Sequence, residues 1–202
     1  MEMMKFFAAM MLALVMQAQN FSEIQKAFSS SYSYESVGKY ESAIEELKKV
    51  YDNNSYEMNL RLGWLSYLAG KQNEAISYYQ NAMKLRPLSV EAKLGYVLPL
   101  AVLGRWDEII KTYENILKID PCNSTVLYRL GLIYYNKQDY KKAYTYFEKL
   151  VNLYPFSYDG LIMFAWTNYM LGKYSEARIL FEKVLLLNPN DNSASSGLEK
   201  IK

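Results

Sequence analysis

The stretch Ser124–Ser157 reads STVLYRLGLIYYNKQDYKKAYTYFEKLVNLYPFS. Leu127, Leu130, Gly131 and Tyr134 form one apolar set, and Tyr140, Ala143, Phe147 and Leu150 form a second. Their spacing of mostly three or four places each set on one face of an α-helix. Between the sets, Asn136-Lys137-Gln138-Asp139 breaks the period with turn formers. Pro155 stops the second helix, because proline lacks a backbone donor and clashes with the preceding turn. The stretch is a helix–turn–helix of 34 residues, and its landmarks recur. Pro87, Pro121, Pro155 and Pro189 stand 34 residues apart, as do Gly70 and Gly104.

Leu127, Leu130-Gly131, Tyr134, Ala143, Phe147 and Pro155 together resemble the tetratricopeptide repeat. The resemblance implies an all-α fold: a right-handed superhelical solenoid of about five helix-turn-helix repeats. Laid in register, the repeats run 24–55, 56–89, 90–123, 124–157 and 158–191. Residues 192–202 resemble the start of a further first helix, with Leu198 and Ile201 placed to cap the last apolar face. The first repeat is two residues short and ends in Asp52-Asn53-Asn54-Ser55 instead of proline.

In this family the eighth and twentieth positions of a repeat face one another where its helices cross closest. Here those pairs are Ser31/Ala43, Gly63/Ala75, Gly131/Ala143 and Ala165/Ala177, all small. The middle repeat departs with Val97/Ile109, and Pro99 lies inside its first helix. Bulky residues at a close crossing predict a separated or shifted helix pair, and an internal proline predicts a kink.

Composition narrows the function. Of 202 residues, 51% are apolar and 15% aromatic, enough for a continuous core. Twenty-three Lys and Arg balance 21 Asp and Glu, giving a net charge of +2 without the basic stripe that nucleic acid requires. There is no histidine, which removes the commonest general base. The single Cys122 has no partner for an internal disulfide. No paired groups stand at catalytic or metal spacing, and Leu171-Gly172-Lys173-Tyr174 lacks the second glycine of a phosphate cradle. The pattern points to no enzyme and no cofactor. Function is expected in surface recognition of a protein or peptide partner.

The resemblance implies that first helices line a concave face. Its fifth, ninth and twelfth positions carry Phe28, Tyr32 and Glu35; Leu60, Trp64 and Tyr67; Leu94, Leu98 and Ala101; Tyr128, Leu132 and Tyr135; Ile162, Trp166 and Tyr169. Only Glu35 is charged. The family groove that clamps chaperone carboxylate tails uses Lys at the fifth position and Asn at the ninth, and neither is present in any copy. The lining predicts a groove for an apolar or amphipathic segment; the alternative is a structural subunit of an envelope assembly or a homo-oligomer.

Ahead of the repeats, Lys5 precedes the apolar run Phe6–Met16, and Ala18 follows in Gln17-Ala18-Gln19. That is the layout of a secretory signal over residues 1–18, leaving 19–23 as a short lead-in. The run of 11 residues is short of the roughly 20 that span a bilayer. No stable membrane span is expected after cleavage. The expected location is the periplasm of a Gram-negative bacterium, with secretion as second choice. A buried first helix of the array is the competing reading of the same run.

Overall fold

The computed structural model describes residues 21–201, and the expected signal segment lies outside them. Among the described residues the chain is all-α. The described residues divide into two compact units, 21–109 and 110–201.

The first unit holds α1 (residues 21–36), α2 (Tyr40–Lys48), α3 (Tyr56–Leu68), α4 (Gln72–Leu85) and α5 (Val90–Val102). The division falls inside α6 (Trp106–Ile119). The second unit continues with α7 (Ser124–Asn136), α8 (Tyr140–Leu153), α9 (Tyr158–Met170), α10 (Tyr174–Leu187) and α11 (Asn192–Lys200). In the first unit α3 packs on α2, α4 and α5; in the second α9 packs on α7, α8, α10 and α11.

Two local devices repeat along the chain. Ser55, Ser89, Asn123, Ser157 and Asp191 each sit just ahead of a first helix, and each side chain accepts a backbone N–H from its first turn. A cap of this kind contributes about 1 kcal/mol. The turn inside each helix pair needs a left-handed residue: Gly38, Gly70, Gly104 and Gly172 have φ of 72, 77, 68 and 74°. In the fourth repeat Gln138 takes the same conformation at φ 61° without glycine's freedom.

The loop that lacks a proline is tied down differently. Asn59, fully buried, donates to the carbonyls of Asn53 (3.0 Å) and Ser55 (2.7 Å). Its own oxygen accepts from Tyr51 (2.9 Å) and Asn81 (3.0 Å), so the buried amide is satisfied. One period later Lys93 does related work, donating to Pro87 O and Ser89 O from a buried position. Desolvation holds its ammonium pKa below the ordinary lysine value.

The small residues of the first helices make room chiefly for aromatic rings. A Cβ on Gly131 would stand 2.5–2.8 Å from the Phe147 ring, and one on Gly197 would stand 2.3–2.6 Å from the Phe181 ring. The Tyr79 ring meets two glycines, Gly63 at 3.1 Å and Gly95 at 2.2–2.9 Å. In the middle repeat Val97 and Ile109 are both buried, at 4% and 1% exposure. Pro99 does not shorten its helix: α5 has 13 residues, as do α3, α7 and α9.

Candidate partner-binding site

The first unit contains a cavity of about 520 Å³ between α1, α3 and α5. Phe28, Tyr32, Leu60, Trp64 and Leu98 all line it, which brings five of the sequence-selected residues together. Tyr79 of α4 also lines it, through the gap that Gly63 and Gly95 leave open. Burial pushes the Tyr79 hydroxyl pKa well above its usual range, and the charge of Glu91 acts in the same direction. Tyr79 is therefore a neutral wall. Leu94 and Tyr67 are half-buried; Tyr67 packs its ring 5.7 Å from that of Trp64.

Glu35 does not offer a free charge. Its carboxylate meets Arg61 Nη1 at 2.5 Å and accepts the Trp64 indole N–H at 2.6 Å. Arg61 Nε donates to Ser31 Oγ at 3.2 Å, and the guanidinium stacks 3.8 Å from the Tyr32 ring centroid. Arg61 is only 8% exposed, and its buried Nη2 has no hydrogen-bond partner among the described residues. Arg61 lies outside the fifth, ninth and twelfth positions, and its only mark in the sequence is that of an arginine amid the apolar run of α3. What the period does not encode is its partner, 26 residues earlier on α1.

The remaining candidates lie in the second unit. Tyr128 stands 6.2 Å from the Phe147 ring, Tyr135 stands 5.3 Å from Tyr140, and Leu132 is half-buried. Ile162 is 8% exposed and belongs to the core of that unit with Leu161, Ala165 and Phe181. Trp166 packs edge-on to Phe181 at 5.0 Å and to Tyr169 at 5.6 Å. Its indole N–H donates to Ser193 of α11 at 2.9 Å. Trp64 and Trp166 are thus both half-buried, but their polar edges are met by different partners.

Helix pairs at a 34-residue period, with an aromatic cavity formed by first helices, define a helical-repeat scaffold. The chain belongs to the tetratricopeptide-repeat family, which it matches over residues 31–90, 124–157 and 158–191. Such a repeat protein is a protein–protein interaction scaffold. Among curated relatives, the protein O-mannosyl-transferase TMTC1 of Homo sapiens is 26% identical over 208 residues. That match takes in 83% of this chain and 24% of the relative, so the chain spans about a quarter of its length. A tetratricopeptide repeat protein from Parabacteroides merdae superposes with a TM-score of 0.75 at 23% identity, covering 89% of this chain and 72% of that one. MamA from Desulfovibrio magneticus superposes with a TM-score of 0.69 at 20% identity, covering 84% and 97%. At such identities these structures speak for the fold alone. No helix among the described residues is long and apolar enough to cross a membrane.

Proposed function

We propose that this chain is an exported, non-enzymatic scaffold that holds an apolar or amphipathic segment of a cell-envelope protein against its first helices. The cavity carries the reading: Phe28, Leu60, Trp64 and Leu98 converge on one opening of about 520 Å³, within the range of about 300–1,000 Å³ that ligand clefts occupy. Tryptophan and tyrosine supply large contact area with few rotors to freeze, the character of interface anchors. Export rests on Lys5, Phe6–Met16 and Ala18, and predicts a mature chain beginning near Gln19 outside the cytoplasm.

Photo-crosslinking in the native cell tests both parts. A crosslinker in place of Leu98, in the cavity, should form an adduct with another protein of the envelope fraction. One in place of Leu88, 76% exposed and outside the cavity lining, should not. Adducts from Leu88 alone, or adducts between two copies of the chain, would favour a structural subunit or homo-oligomer instead.

A further inference from the structure

We infer that the cavity of the first unit selects a segment in which an apolar side chain stands next to a lysine or arginine. This rests on the proposed function and names the chemistry of the occupant. The cavity wall of Phe28, Leu60, Trp64, Tyr79 and Leu98 is apolar apart from the indole N–H and the phenol. It takes an aliphatic or aromatic side chain.

The polar groups around that wall dictate what accompanies the side chain. Arg61 lines the cavity but is itself more than nine-tenths buried. The charge of Arg61 is already met by Glu35 at 2.5 Å. A carboxylate on the occupant therefore gains no uncompensated charge from Arg61 and is repelled by Glu35.

The rim adds the sign. Glu57 and Glu91 both line the opening and both are exposed. Glu57 shares an open pair with Arg86 (3.1 Å, both side chains 61% exposed), a geometry that contributes little. Glu91 accepts the Tyr56 hydroxyl at 3.3 Å, and among the described residues no cation forms a salt bridge with it. Arg61 and Arg86 against Glu35, Glu57 and Glu91 leave one net negative charge, at the mouth. A base beside the apolar anchor matches it, and an acid there is opposed.

The test is a positional-scanning library of N-acetylated, C-amidated decapeptides, presented to the full chain and to two variants whose thermal melts are checked first. The wild type should enrich Leu, Ile, Met or Phe with Lys or Arg within three residues. Exchanging that base for Glu in a selected peptide should weaken it about two- to fivefold, the size of an exposed charge pair. Glu91→Lys, at an exposed position, should invert the preference to acidic neighbours. Leu98→Glu should abolish selection. Enrichment without charge preference, or a preference unchanged in Glu91→Lys, would overturn the inference while leaving the cavity as the binding site. Selection that survives Leu98→Glu, or no selection by the wild type, would overturn both this inference and the function on which it rests.

Discussion

Trp64 and Trp166 occupy the same position three repeats apart, yet the chain uses them differently. In the first unit the Trp64 ring lines an open cavity, and its N–H is anchored by Glu35, which also holds Arg61. In the second unit the Trp166 ring leans on Phe181, and its N–H is taken by Ser193 of the C-terminal helix. The difference lies in what the chain supplies next to each ring. At the second site α11 brings Ser193 to the indole and Gly197 against Phe181, so that small residues turn a binding-type surface into a capped one. A position within a repeat thus fixes where a side chain starts. Its neighbours decide whether it is offered to a partner.

The strongest way to break this comparison is at Phe181, fully buried between Trp166 and α11. Phe181→Ala should cost about 3–5 kcal/mol, as aromatic truncations in cores do. Amide exchange should rise first in α11 and leave α3 unchanged; loss confined to the first unit would contradict the assignment of Phe181 as the support of the cap.

Two glycines sharpen it further. Gly95→Ala drives a Cβ into the Tyr79 ring, and Gly197→Ala drives one into the Phe181 ring. Alanine favours helix by up to about 1 kcal/mol over glycine, but overpacking of this kind costs about 1–3. Each variant should therefore lose about 1–2 kcal/mol in a denaturant melt. Only Gly95→Ala should also weaken partner binding, because Tyr79 is a wall of the cavity.

The repeat period itself was open to reading because it is local: helix faces, turn glycines and stop prolines lie within a few residues of what they control. The caps were equally legible, since Ser89, Asn123, Ser157 and Asp191 each follow a proline by two residues. Pairings across helices were not. Glu35 reads as the one free charge of the lining, and the structure shows it consumed by Arg61 and Trp64, both on another helix. Ser193 carries no mark in the sequence that ties it to Trp166. The small residues were legible as crossings, but the nearest atoms at Gly131 and Gly63 are aromatic rings of the second helices.

Acid should separate the two units. Asp191 caps α11 and accepts the Tyr158 hydroxyl at 2.6 Å; that bond first, and the Ala194 N–H next, hold its carboxyl below the ordinary range. A carboxyl depressed in the fold contributes stability above its unfolded value of about 3.9, and loses it as pH falls through the lower folded value. The equivalent contact in the first unit joins Tyr56 to Ser89 at 2.8 Å and does not titrate there. Amide exchange of α11 should rise below about pH 4 in the wild type, and this pH dependence should vanish in Asp191→Ser.

The smallest effect is expected at Gln138, whose positive φ suits glycine better. Gln138→Gly relieves about 1–2 kcal/mol of left-handed strain against about 0.5–1 of added chain entropy. The net should be a gain below about 1 kcal/mol in a chemical melt, whereas the same exchange at Lys137, with its ordinary αR backbone, should destabilise.

The most direct measurement is a paired one on Trp64→Ala and Trp166→Ala, each read both for affinity toward the crosslinked partner or a selected peptide and for unfolding free energy. The account predicts that Trp64→Ala weakens binding by about 2 kcal/mol or more, as an anchor should. Trp166→Ala should leave affinity within about twofold and instead release α11, the outcome for an interaction spent inside the fold. Equal losses of affinity at the two tryptophans, or a loss at Trp166 alone, would contradict it.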